Sequence, residues 1–231
     1  YPTTIYNSTP NPIWQDARTV WFSGANAVSN QVFWCRQGFT NNTNINYELK
    51  NYRGTAHGFI MYGYDFDNPS ASPTQQRIVN VKIQGYWEKG IPVSLHWFGG
   101  LGLANCPQNT IVNVDLDVIC DTSMGVAFWC TGGIHESNRF NISGKIVTKS
   151  IGMPCITISG SGVTGNIQTN DTITLKDLLL INDGTVAPIM INPTDAQIQN
   201  VQMQNVKSNS LKVDANITEV GESIVRNINY K

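Results

Sequence analysis

The chain has 231 residues, only 13% of them charged, and a net charge of −1. Because lysine and arginine are few and do not cluster, the composition argues against nucleic acid or an anionic membrane as a partner bound through a basic patch. No apolar run approaches the roughly 20 residues of a membrane-spanning helix, so membrane insertion is not expected.

The start of the chain predicts a short leading segment. Residues 1–13 contain prolines at positions 2, 10 and 12 and predict an extended lead-in or N-terminal cap. Residues 14–231 predict one continuous domain. Because the sequence begins with Tyr1 rather than methionine, we expect it to be a fragment of a longer chain.

From residue 44 onward a six-residue frame recurs, with asparagine at its third position between apolar residues. The frame reads IVNVKI at 78–83 and IVNVDL at 111–116, and weaker copies lie before and after these two. The repeat length varies between 23 and 36 residues, and short repeats of this kind predict a stacked solenoid. The third-position residues are Asn46, Asn80, Asn113, Asn141, Asp177, Asn200 and Asn227.

A second series of short apolar segments alternates with the first. It includes VFW at 32–34, FIM at 59–61, LHW at 95–97 and AFW at 127–129. Alternation with period two predicts two short strands per repeat, with one face of each strand inside a shared core. In the first series the predicted inward residues are Val81, Ile83, Val114, Leu116, Leu178, Leu180, Val201 and Met203. In the second series they are Leu95, Trp97, Ala127, Trp129, Ile156, Ile158, Ile189 and Ile191.

The recurring asparagine has a physical explanation in such a stack. Parallel strands lie about 4.8 Å apart, so equivalent side chains fall above one another. An amide has both a donor and an acceptor, and a column of amides can therefore bond along the stack. Asparagine is also common in turns, but its return to one place in the same apolar frame favours a ladder, which we expect at the bend before each strand.

The cysteines and histidines predict neither a metal site nor a cofactor. The five cysteines, Cys35, Cys106, Cys120, Cys130 and Cys155, form no C-x-x-C pair, and the three histidines lie in unrelated contexts. We therefore expect buried or partly buried free thiols.

The ladder, the irregular coils, the scarcity of helix signals and the abundance of Asn, Thr, Ser and Gly together resemble the pectin-lyase-like superfamily. The resemblance implies an all-β, right-handed, single-stranded parallel β-helix of about seven to eight coils. Within that superfamily the chain is most similar to bacteriophage tailspikes. This implies a homotrimer on the virion tail, extracellular at the host surface, with bacterial surface polysaccharide as its partner. The polygalacturonase motifs NTD, DD, GHG and RIK are absent, so their catalytic residues do not transfer.

Polar outward positions of the first series are the candidate glycan site, since glycans often lie along a strand face in this fold. Asp115 and Glu88 are the candidate catalytic pair, because glycoside hydrolysis needs two carboxylates about 5 to 10 Å apart. The alternative is a surface ion pair between Asp115 and Lys82. The candidate glycan-binding residues are Glu48, Lys82 and Asp117 on the strands, and Tyr86 and Trp87 in the loop that we expect, with Glu88, after the 78–83 strand.

The second series is apolar on its predicted outer side as well, at Phe33, Tyr62, Phe98 and Phe128. Large exposed apolar stripes are seldom left bare. Contact with a neighbouring subunit, stacking of carbohydrate and cover by local loops each explain the stripe. Three functions stay open: a trimeric tailspike module that binds polysaccharide, with or without depolymerising it, a monomeric polysaccharide lyase or hydrolase, and a structural shaft.

Overall fold

The computed structural model describes residues 31–35, 44–62, 77–98, 109–131, 134–135, 137–160, 168–169, 172–193 and 201–209. These residues form β-strands and turns, and none of them is helical. Within the same ranges there is no helix of the length and apolarity that a membrane crossing requires. The predicted lead-in at 1–13 lies outside the described residues.

The described strands number fourteen. Strands β1 to β7 are Gln31–Cys35, Asn44–Gly54, His57–Tyr62, Arg77–Trp87, Val93–Phe98, Thr110–Cys120 and Val126–Thr131. Strands β8 to β14 are Ile134–His135, Arg139–Thr148, Ile156–Gly160, Gln168–Thr169, Thr172–Ile181, Ile189–Pro193 and Val201–Ser208.

Two six-stranded sheets account for most of these strands. The ladder sheet has the order β14-β12-β9-β6-β4-β2, and the short-strand sheet has the order β1-β3-β5-β7-β10-β13. Apart from the small pair formed by β8 and β11, the chain alternates between these sheets, and the paired strands run parallel. The all-β, parallel part of the prediction is therefore confirmed, and the arrangement is compatible with a β-solenoid.

The core lies between the inner faces of the two sheets. The predicted inward residues of the first series are buried, from Val81 and Ile83 in β4 to Val201 and Met203 in β14. Aromatic contacts join the sheets, since the rings of Tyr47 and Phe59 lie 5.4 Å apart. Each repeat contributes only a few of these side chains, so the core exists only when repeats stack.

Strand β7 differs from the prediction by one residue. Its inward side chains are Val126 and Phe128, because Phe128 pairs in register with Leu95 on one side and Ile158 on the other. Phe128 is 2% exposed and packs edge-on against Phe140 of the ladder sheet at 4.8 Å. Phe128 therefore cannot belong to an outward aromatic stripe.

The other predicted stripe residues are described only by their backbones. Phe33 pairs in register with the buried Phe59, while the side chains of Phe33, Tyr62 and Phe98 lie outside the described part of the structure. On the outer side of the short-strand sheet, the row Ile60, Ser94 and Ala127 is buried within the single chain, at 4%, 3% and 0% exposure. These three positions offer no exposed surface to another subunit.

Three of the ladder-sheet strands, β2, β12 and β14, contain a bend. Asn51, Asp177 and Asn205 adopt left-handed backbone angles there, with φ of 55°, 51° and 52°. The register shifts at two of these bends, between Leu49 and Tyr52 and between Leu175 and Leu178. Asparagine and aspartate tolerate this conformation better than other residues with side chains.

Candidate functional site

The outer face of the ladder sheet holds a column of hydrogen-bonded amides. Asn80 Nδ2 donates to Asn46 Oδ1, Asn113 Nδ2 to Asn80 Oδ1, and Asn141 Nδ2 to Asn113 Oδ1, each at 2.8 Å. The strand registers place these residues directly beside one another. The column lies within the strands, on their half-buried outward face, rather than at a bend before them.

The column ends at Asn141. In the next strand the residue in register with Asn141 is Thr174. The prediction that Asp177 belongs to the column is therefore wrong. Asp177 occupies the bend, where its Oδ1 accepts a 2.8 Å hydrogen bond from Asn205 Nδ2. Asn200 and Asn227 lie outside the described residues.

A groove of about 600 Å³ runs over this face. Its lining comes from equivalent positions of β2, β4, β6, β9 and β12, so it crosses the strands and follows the stacking direction for roughly 19 Å. The lining residues are Tyr47, Asn80, Val81, Lys82, Asn113, Val114, Asp115, Asn141, Ile142, Ser143, Thr174, Lys176 and Asp177.

Lys82 and Asp115 meet inside the groove. Lys82 Nζ lies 3.9 Å from an Asp115 carboxylate oxygen, and the two side chains are 60% and 54% exposed. An ion pair this long and this exposed contributes less than about 1 kcal/mol. Both charges therefore remain available to a ligand, and the ion-pair explanation does not exclude a binding role.

The groove does not bring Glu88 to Asp115. Glu88 follows Trp87, which is in register with Cys120, so Glu88 is level with Asp121 and six residues beyond Asp115. At about 3.3 Å per strand residue this puts the two backbones on the order of 15–20 Å apart, too far for a catalytic pair. Glu88 instead accepts a 3.2 Å hydrogen bond from Arg53 Nε.

Two carboxylates do line the groove, namely Asp115 and Asp177. They belong to strands separated by β9, which sets their backbones roughly 10 Å apart. The pair to examine for hydrolysis is therefore Asp115 with Asp177, in place of Asp115 with Glu88.

Trp87 is a core residue and cannot bind glycan. It is fully buried, its Nε1 donates to the Ala56 carbonyl at 2.9 Å, and its ring lies 4.5 Å from that of Tyr52. Val79, Val81 and Ile83 are buried, and the same alternation continues along β4, so Tyr86 lies on the outer face and Trp87 points inward.

Tyr86 belongs to a polar cluster beyond the groove. Its hydroxyl donates to Asp121 and accepts a 2.9 Å hydrogen bond from Lys149 Nζ. The bond from Tyr86, and then Lys149, lowers the pKa of the Asp121 carboxyl. Tyr86 also raises the pKa of Lys149, whose ammonium lies 4.5 Å from the Tyr86 ring centre. The polar atoms of this cluster are engaged with one another.

The two remaining candidates flank the groove. Glu48 is in register with Lys82 and pairs with Lys50 at 2.7 Å. Asp117 is exposed on β6, in register with Lys145 of β9. Neither residue lines the groove.

Three polar groove residues, Ser143, Thr174 and Lys176, were assigned to neither the glycan site nor the ladder from the sequence, and a fourth, Asp177, was predicted only as a ladder residue. Ser143 follows Asn141 by two residues, as Lys82 follows Asn80 and Asp115 follows Asn113, and this spacing could have found it. Thr174 and Lys176 required the register of β12, which its bend obscures.

The described ranges contain no group of three or more side chains that could hold a metal ion. The comparisons with protein-family models, with curated proteins and with solved structures returned no match.

Proposed function

We propose that the chain is a polysaccharide-binding module whose groove holds a linear glycan parallel to the stack of strands. The observation that carries the proposal is the lining of the groove, which repeats the same strand positions over five neighbouring strands. A groove whose lining repeats from strand to strand fits a polymer of repeating units better than it fits a compact small molecule.

The resemblance to phage tailspikes supports the finer parts of the proposal. These are a right-handed β-helix of about seven to eight coils, a homotrimer on a virion tail, and bacterial surface polysaccharide as the ligand. Low overall charge is compatible with a hydroxyl-rich partner.

The test fills the groove with a bulky side chain. Ser143 lines the groove, whereas Lys145 is exposed on the same strand outside it. We expect Ser143→Trp to abolish binding to a polysaccharide selected from a bacterial panel, and Lys145→Trp to bind as the unmodified chain does. Binding is measured by isothermal titration calorimetry, with the free energy of unfolding checked for both variants.

Two results would count against the proposal: no binding of any panel polysaccharide, or equal binding by both variants. New reducing ends are measured in the same samples, because Asp115 and Asp177 lie in the groove. Their release would extend the function from binding to depolymerisation.

A further inference from the structure

The amides of the ladder have hydrogen-bonding capacity that the ladder does not use. A primary amide has two N–H donors and two acceptor lone pairs. Asn80 and Asn113 each use one N–H and one lone pair along the column. Both side chains are half-buried and line the groove. One donor and one acceptor per rung are therefore left for a ligand.

We propose that the asparagine ladder is itself the recognition track of the groove, and that its ligand is an uncharged linear polysaccharide. Hydroxyl groups of the polymer pair with the unused N–H and C=O groups, which recur about every 4.8 Å. This inference rests on the proposed function and adds to it the binding groups and the ligand class.

The charges in the groove favour an uncharged polymer. Its charged lining residues are Lys82, Lys176, Asp115 and Asp177, so the formal charges cancel. A polyanion would be repelled by both aspartates, and a polycation would be repelled by both lysines. We therefore expect affinity to change little with salt, since screening acts on charged pairs.

The ladder also orients its free groups before the ligand arrives. Each rung donates in the same direction at 2.8 Å, from Asn141 towards Asn46. Aligned hydrogen bonds polarise one another. Fixed side chains also lose little rotamer freedom on binding, which reduces the entropic cost of recognition.

A substitution at Thr174 can lengthen the ladder by one amide. Thr174 is in register with Asn141, whose Oδ1 accepts no hydrogen bond from another rung. An asparagine at 174 can donate to that oxygen and present one more amide to the groove. We expect Thr174→Asn to raise affinity for an uncharged polysaccharide roughly two- to tenfold, the effect of one hydrogen bond. The matched control is Thr174→Val, which keeps the side-chain shape and adds no amide.

A second variant shortens the ladder in case the first folds poorly. Asn141→Thr removes the last rung, and Thr174 shows that threonine fits this row. We expect its affinity to fall by a similar factor. Affinities for uncharged and acidic polysaccharides are measured by calorimetry at low and high salt, and stability by urea unfolding.

The outcomes separate the two proposals. If both ladder variants change stability but bind as the unmodified chain does, the ladder is structural only, and the proposed function stands without it. Preferred, salt-sensitive binding of an acidic polysaccharide would overturn the uncharged ligand class. If the unmodified chain binds no polysaccharide, the proposed function fails and this inference fails with it.

Discussion

At the scale of single residues, Asn113 links two neighbours through one side chain. It donates to Asn80 and accepts from Asn141, both at 2.8 Å. Removing this amide leaves half-buried polar groups on both sides without their partner. The cost of such a loss exceeds the net value of a single hydrogen bond.

We expect Asn113→Leu to lower the free energy of unfolding by about 1 to 3 kcal/mol. The matched control is Gln84→Leu, because Gln84 is exposed on the outer face of β4 and is no part of the column. Urea denaturation of both variants measures the difference. An unchanged urea midpoint for Asn113→Leu would show that the ladder does not stabilise the folded chain.

The sequence predicts residues well where the frame is regular and poorly where a bend intervenes. The asparagines from 46 to 141 share one frame and one column. Asp177 is third in the similar frame LKDLLL, but it adopts a left-handed conformation at the bend, where the register of its strand shifts. Trp87 was misassigned for a different reason: β4 continues past the six-residue frame, and the alternation of Val81 and Ile83 extends to Trp87. Backbone bends interrupt the period of two on which the assignment of faces depends.

At the scale of elements, one position of β9 requires a glycine. Gly144 has φ of +105°, and a Cβ placed there would lie 2.0 Å from the carbonyl oxygen of Leu116. That oxygen belongs to the backbone of the neighbouring strand β6, so it cannot move without disturbing the ladder sheet.

We expect Gly144→Ala to destabilise the chain by about 1 to 3 kcal/mol or more, through backbone strain and the clash together. Gly152 is the matched control: its φ is +73°, but a Cβ there meets nothing within 4 Å. The Gly152→Ala variant therefore reports strain alone, and we expect a smaller loss in thermal or urea unfolding. Equal losses would show that the clash with Leu116 is relieved at no cost.

The two strand series were predictable as elements, but their lengths were not. The frames have six residues, whereas β4 and β6 each have eleven, because each strand continues beyond its frame. Strands β8 and β11 have two residues each and carry no periodic signal. The face of β7 was misassigned because VAFW contains four apolar residues in a row, so alternation does not identify the inward ones.

At the scale of the whole molecule, stability is shared between neighbouring repeats. Lys149, which follows β9, donates its backbone N–H to the carbonyl of Cys120, the last residue of β6, at 2.9 Å. The Cys155 thiol lies 3.8 Å from the Ile146 carbonyl and 3.4 Å from the Ile181 carbonyl. The two cysteines therefore lie in adjoining repeats, and one opening event should expose both.

Cys120 and Cys155 are free and buried, and they report this opening. Burial raises the pKa of Cys120 to about 12 and that of Cys155 to about 11. Only the thiolate reacts with iodoacetamide, so at mildly alkaline pH both should resist alkylation in the folded chain. In fully denaturing urea their pKa returns to about 8.5 and both should react at once.

In urea below the unfolding midpoint, we expect Cys120 and Cys155 to be alkylated at the same rate, because their repeats share one core and open together. The modified peptides are quantified by mass spectrometry over time. In a solenoid each repeat contacts only its neighbours, so the alternative is opening that proceeds from one end. Markedly faster alkylation of one cysteine would show that adjoining repeats separate before the whole stack unfolds, and its identity would show from which end.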